Sequence, residues 1–90
     1  SKVCLAAIAR SENGVVQAIR LAFGSVAPTP LRATATEAVL KGQPINAVTI
    51  AAGRAALLNE LKPIDDVRST AEYRAQVAAN LLVEFLEMLA

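Results

Sequence analysis

Two apolar runs open the chain, Val3 to Ala9 and Val15 to Phe23, the second interrupted only by Gln17 and Arg20. Between them stands Arg10-Ser11-Glu12-Asn13-Gly14. Asn-Gly is the strongest short-range signal for a two-residue type I′ turn, so the pattern predicts a β-hairpin with Asn13 and Gly14 at its tip. In an uninterrupted ladder Ile8 faces Ile19, Ala6 faces Leu21 and Cys4 faces Phe23, a bulky side expected to pack on helices. The opposite side pairs Leu5 with Ala22, Ala7 with Arg20 and Ala9 with Ala18. It is small and smooth with one charge, and is the natural place for a second surface. A slip of one residue would exchange the two faces.

Val26-Ala27-Pro28-Thr29-Pro30-Leu31-Arg32 follows Gly24-Ser25. Two prolines at alternating positions cannot donate to a ladder, so this stretch is expected as an edge strand or an extended connector. Thr34-Ala35-Thr36-Glu37 has the spacing of a capping box and predicts a short helix, which Gly42 stops and Pro44 follows. A second helix is expected from about Asn46 to Leu61. It has one stripe of Val48, Ala51, Ala52, Ala55 and Leu58 and a neighbouring one of Ile50, Arg54, Leu57 and Leu61. Gly53 costs that helix roughly 1 kcal/mol against Ala unless something approaches closely there. Pro63 ends it. Ser69-Thr70-Ala71-Glu72 is a second capping box, opening a long last helix whose stripe is Tyr73, Val77, Leu81 and Phe85, joined by Ala78, Leu82, Met88 and Leu89. Glu84 and Glu87 lie off it. The expected fold class is α+β: an antiparallel hairpin plus a third edge strand packed on three helices, a two-layer α/β sandwich, with residues 1–90 as a single domain.

Composition narrows the chemistry. Of 90 residues, 54% are hydrophobic and nineteen are alanine, whereas aromatics make up 3% and Trp is absent. A chain of this size buries only roughly 60–65% of its unfolded surface, and its core must be built from Ala, Leu, Val and Ile. A net charge of +1 supplies no electrostatic footprint for nucleic acid or an anionic membrane. One cysteine and no histidine exclude an internal disulfide, a zinc finger, a His-based triad and a His-ligated metal. No apolar run approaches the ~18–20 residues of a membrane span.

No phosphate-binding glycine loop, HExxH or CxxC occurs. Cys4 reads as a buried small hydrophobe rather than a nucleophile. Asp65-Asp66 ahead of Arg68 offers too few oxygens for Mg²⁺ and fits a loop leading into a helix, fixed by Asp–Arg bonding. Tyr73-Arg74 reads as a core tyrosine beside a surface charge. The chain opens Ser1-Lys2-Val3 without an initiator Met or a basic leader, which predicts an excised or C-terminal piece of something longer, a trimmed small protein being the alternative. On residues alone the module holds no self-contained active site, and any function is shared with a partner or with further chain.

Three segments, in order, carry a resemblance: Ile19-Arg20-Leu21-Ala22-Phe23-Gly24-Ser25-Val26-Ala27-Pro28-Thr29-Pro30-Leu31-Arg32-Ala33, then Glu37-Ala38-Val39-Leu40-Lys41-Gly42, then Pro63 to Arg74. Together they resemble the C-terminal domain of the FAD-binding (medium) subunit of molybdenum hydroxylases, the family of the carbon monoxide dehydrogenase flavoprotein and the xanthine dehydrogenase flavin domain. The resemblance covers essentially the whole chain. It implies an oxidoreductase in which a molybdopterin centre hydroxylates the substrate, two 2Fe-2S clusters relay electrons, and FAD passes them to an acceptor. It implies that FAD is held mainly by upstream domains with glycine-rich loops, that this domain closes part of the wall by the isoalloxazine ring, and that iron-sulfur and molybdopterin subunits are partners. Lys2 matches a family lysine near the flavin, where a cation favours negative charge on the reduced ring. The family assigns no catalysis to Asp65, Asp66, Arg68, Tyr73 or Arg74, which are expected as a structural corner with Tyr73 beneath the sheet. Family members often end the last helix with arginines, where Glu84, Glu87 and Leu89-Ala90 stand here.

A cytoplasmic location is expected from the lack of a leader and of disulfides. The competing reading is a non-catalytic interaction module that uses the Ala-rich hairpin face or the long helix, with self-association of the fragment left open. The hydroxylated substrate and the final electron acceptor stay open.

Overall fold

The computed structural model describes residues 3–24, 31–61 and 68–90, with side chains from Tyr73 onward in the last segment. Its elements are β1 (Cys4–Glu12), β2 (Val15–Gly24), β3 (Leu31–Arg32), α1 (Thr34–Leu40), α2 (Ala47–Glu60) and α3 (Arg68–Leu89). The strands form one antiparallel sheet in the order β1-β2-β3. Helix α3 packs on β1, while α1 packs on β2 and on α2, which in turn meets α3. This is the α+β arrangement the sequence pattern predicts.

The hairpin forms at the expected turn: Asn13 and Gly14 both have positive φ, 54° and 76°, as a type I′ turn requires. Glu12 pairs with Val15 and Ser11 with Val16 as expected, but a β-bulge then leaves Gln17 unpaired and shifts the register. Beyond it Ala9 faces Ile19, Ala7 faces Leu21 and Leu5 faces Phe23. The extra residue lets Val16 and Ile19 turn to the same side, and both are buried. The expected face is therefore right for β2 and inverted for β1. Leu5, Ala7 and Ala9 pack on the core, whereas Cys4, Ala6 and Ile8 point outward. Ile8 is 74% exposed and Cys4 is exposed, not buried as the unbroken register implied.

Along its other edge β2 is covered piecewise. Phe23 pairs with Leu31, and the Ala33 amide donates to the Leu21 carbonyl. The chain then leaves the edge as α1 and returns at Gly42, whose amide donates to Val16, while Val16 donates to Gln43 and Ile45 to Gly14. Gly42, at φ 83°, ends α1 in the left-handed conformation expected of it. The edge strand foreseen in the proline segment is thus Leu31–Arg32; Pro28 and Pro30 lie outside the described residues.

The capping box predicted for α1 does not form. Its N-cap is Ala33 and makes no side-chain bond, because Thr34 is already helical and Glu37 is engaged elsewhere. Glu60, at the end of α2, caps α1 from a distance instead. Its carboxylate accepts from the Ala35 amide at 3.1 Å, the Thr36 amide at 3.0 Å and the Thr36 hydroxyl at 2.7 Å. A carboxylate is unfavourable at the C-terminus of its own helix and favourable at the N-terminus of another, so the arrangement fastens α1 to α2.

Helix α2 starts where expected, with the Asn46 side chain accepting from the Thr49 amide at 2.9 Å. Its buried line is Thr49, Gly53 and Leu57, flanked by half-buried Ile50, Arg54 and Leu58. Val48, Ala51, Ala52 and Ala55 face outward, contrary to the first expected stripe. Gly53 decides this: a Cβ there would come within 2.8 Å of the Leu40 side chain, so the glycine is where α1 reaches into α2. On α3 the buried line is Ala75, Ala78, Ala79, Leu82 and Leu86. Tyr73 and Met88 are 70% and 83% exposed, so neither belongs to the core stripe and Tyr73 does not lie beneath the sheet. The alanines Ala75, Ala78 and Ala79 are buried on the face of α3 that meets the core, with α3 packed on β1. The Ser69–Glu72 capping side chains lie outside the described residues.

Replacing Glu60 with Ala is expected to lower unfolding free energy by about 1–2 kcal/mol, whereas Thr34→Ala stays within about 0.5 kcal/mol. Urea denaturation of the two variants checks this, and comparable losses would restore the local capping box.

Candidate functional site

Because β3 is two residues long, the Leu21 amide has no strand to donate to on the far edge of β2. The Glu37 carboxylate takes that place. Its Oε2 accepts from the Leu21 amide at 2.9 Å and from Arg32 Nε at 3.1 Å, and its Oε1 accepts from Arg32 Nη2 at 2.9 Å. Glu37 is 7% exposed although it lies on a short surface helix. Beside it, along the edge at Ile19, is an open notch of ≈ 400 Å³ bordered by Arg20, Arg32 and Lys41. The three cations face one carboxylate that is already committed, which leaves the notch positive.

Burial is the largest single influence on the Glu37 carboxyl and opposes its charge. The Arg32 hydrogen bonds, the Leu21 amide and the nearby charges of Arg32 and Arg20 together outweigh it, so its pKa lies below the ordinary carboxylate value. The same hydrogen bonds, followed by the Glu37 charge, raise Arg32 above its ordinary value. The Arg32 side chain is 53% exposed, so water screens the ion pair. The buried amide bond is the stronger constraint.

The notch is a binding geometry, not a catalytic one. It contains no nucleophile paired with a base, and among the described residues no three His, Cys, Asp or Glu side chains come together as a metal site. Nor do the described glycines cradle a dinucleotide. Gly14 and Gly42 serve turns, Gly24 lies against the Cys4 sulfur and Gly53 against Leu40. Among the described residues, no helix is long and apolar enough to cross a membrane.

Of the residues singled out in the sequence, Lys2, Asp65 and Asp66 lie outside the described residues, as does the Arg68 side chain. Tyr73 is exposed on α3 with Arg74 half-buried beside it. The capping-box spacing places Glu37 at the start of α1, whereas its carboxylate instead accepts the Leu21 amide of β2, a contact of which that spacing gives no sign. The available signal was a buried-side Glu five residues after an Arg at the end of a strand too short to cover its neighbour.

The whole arrangement has relatives. Residues 1–89 match the family model described as CO dehydrogenase flavoprotein C-terminal domain. The xanthine dehydrogenase FAD-binding subunit of Escherichia coli O157:H7 is 35% identical over 81 residues, which is 90% of this chain and 28% of that protein. Among solved structures, carbon monoxide dehydrogenase from Hydrogenophaga pseudoflava superposes with a TM-score of 0.78 at 33% identity, covering 91% of this chain and 29% of that one. Quinoline 2-oxidoreductase from Pseudomonas putida 86 shares the fold at a TM-score of 0.78 and 23% identity, covering 96% of this chain and 30% of its own. The chain thus spans 28% of the length of the curated relatives it matches.

Glu37→Ala strands the Leu21 amide and is expected to cost about 2–3 kcal/mol, while Glu37→Gln keeps an acceptor and costs less. Because the folded pKa of Glu37 is depressed, its contribution is complete above the ordinary carboxylate range and is lost as pH falls through the folded value. Urea midpoints measured from pH 7 down to pH 3 should fall more steeply in the parent chain than in Glu37→Gln.

Proposed function

The chain belongs to the CO dehydrogenase flavoprotein C-terminal domain family, and from that membership we propose that residues 1–90 form the C-terminal domain of a longer FAD-binding subunit in a molybdenum hydroxylase-type oxidoreductase. The observation that carries this is agreement of fold and sequence over nearly the whole chain, together with a coverage of only 28% of the FAD-binding relatives. The domain's own part is structural: it helps close the flavin site and assemble the subunit. FAD, when bound by the rest of that subunit, supplies electron transfer from iron-sulfur clusters to an acceptor.

Similarity to FAD-binding subunits of which this chain spans only 28% supports this division of labour. Flavin binding belongs to the upstream domain, and molybdopterin and the 2Fe-2S clusters belong to partner subunits or domains. The isolated chain is inactive on this reading, which also carries a cytoplasmic location. Lys2 retains the role the resemblance implies, a cation near the flavin ring.

The alternative of a non-catalytic interaction module draws on the outward-facing Ile8 and its alanine surroundings. Such a surface is equally required of a domain that packs within a larger subunit, so it does not separate the two readings.

In the full-length polypeptide that carries this chain, bound FAD should be recovered on purification, and its complete absence would overturn the reading. Lys2→Ala should shift the flavin reduction potential downward or weaken FAD retention, because a positive charge near the ring favours its reduced form. No change in either measurement removes Lys2 from the flavin site.

A further inference from the structure

An antiparallel sheet with one face in water normally alternates apolar-in with polar-out. Here the outward face does not. It presents Cys4, Ala6 and Ile8 on β1 beside Ala18, Arg20 and Ala22 on β2, so its centre is small and apolar. The core and the helices that pack on the sheet, α1 and α3, lie against its other residues, and Cys4, Ala6, Ile8, Ala18 and Arg20 are exposed. Arg10, opposite Ala18 on the same face, pairs with Glu12 at 3.7 Å, so the charge left over lies toward the notch. Arg32 lies across from Ala22 at the β3 rim and is held by Glu37, while Arg20 and Lys41 at the ≈ 400 Å³ notch make no ion pair among the described residues. A flat apolar centre with a cationic rim fits a flat apolar surface rimmed by acid.

We propose that this outward face is where the FAD-binding remainder of the subunit docks, laying small apolar side chains over Cys4, Ala6 and Ile8 and placing a carboxylate in the Arg20–Arg32–Lys41 notch. The inference rests on the reading of the chain as one domain of a longer subunit. Two observations select that occupant. The matched relatives are more than three times as long as the part this chain covers, so most of each lies beyond it. The second is charge: the notch retains two cations after Arg32 and Glu37 have paired, and a carboxylate arriving with an apolar surface would be desolvated there. The small side chains also permit close backbone approach, which a solvated face has no need of.

Cys4 sits on this face and reports on it directly. The full-length polypeptide, purified as a monomer, is pulsed with a thiol-alkylating reagent, and labelling of the Cys4 peptide is read by mass spectrometry. A covered face slows Cys4 by about tenfold or more relative to the same polypeptide in denaturant, since reaction then requires local opening. Arg20→Glu should restore most of the lost rate, whereas Arg20→Lys should keep Cys4 protected. Ile8→Lys, which disrupts the apolar centre without touching the notch, should also expose it. A freely reactive Cys4 in the unsubstituted monomer overturns the proposal, as does protection found only in a dimer and lost on dilution. Unchanged protection in Arg20→Glu overturns the carboxylate in the notch. FAD retained alongside a reactive Cys4 would defeat the docking face alone, while absence of FAD from the full-length polypeptide would defeat the functional reading beneath it.

Discussion

The far edge of β2 is completed by a side chain, and the course of the chain depends on that substitution. A sheet edge buried under a helix must have its amides and carbonyls satisfied. At Leu21 the carbonyl takes the Ala33 amide, and the amide gives to the Glu37 carboxylate. The polypeptide is thereby free to leave the sheet at Ala33, form α1, and rejoin β2 at Gly42 through Ile45. Helix α1 carries Leu40 down into the gap at Gly53, and Glu60 of α2 reaches back to hold the first amides of α1. One carboxylate completes the sheet and the other joins two helices. Each occupies a position that sequence spacing alone assigns elsewhere.

That substitution also explains what the residues revealed and what they hid. The turn at Asn13-Gly14, the stop at Gly42 and the start of α2 at about Asn46 follow from local backbone needs and were legible. The faces of β2 were legible as well, since Ile19, Leu21 and Phe23 are too large to leave in water. The inversion of β1 was not, because Gln17 gives no local sign that it will bulge; its reason is nonlocal, the burial of Val16 and Ile19 on one side. The first stripe on α2 and the places of Tyr73 and Met88 on α3 were misjudged for a related reason, whereas Ile50, Leu57 and Leu61 of the second α2 stripe and Ala78, Leu82, Phe85 and Leu89 on α3 do meet the core. With so many alanines, hydrophobicity hardly distinguishes one helix face from another; on α2 the choice falls to the close approach of Leu40 at Gly53, and on α3 the buried face is the one with Ala75, Ala78 and Ala79. The family resemblance rested on ordered segments rather than on periodicity, and so did not depend on those errors.

The same economy of side chains frames the functional reading. An alanine-rich layer packs tightly on one side of the sheet, while the other side carries the residues that a partly solvated sheet would make polar. Among the described residues no three His, Cys, Asp or Glu side chains gather as a metal site, and the glycines serve turns and close packing. Its chemistry is that of a part: a rigid two-layer body, braced at Glu37, with one flat face and a cationic rim turned outward. Membership in a family defined by the C-terminal domain of a flavoprotein accounts for such a body better than composition alone could.

The central structural claim, that Glu37 stands in for a strand at Leu21, is tested most directly by amide hydrogen exchange. Near neutral pH the Leu21 amide should be protected to a degree similar to its ladder-bonded neighbours in β2. In Glu37→Ala, under conditions where the chain stays folded, Leu21 should exchange at least about tenfold faster than in the parent chain while protection at Arg20 and Ala22 is largely kept. Unchanged protection at Leu21 in that variant would contradict the account, because the amide would then be satisfied without the carboxylate.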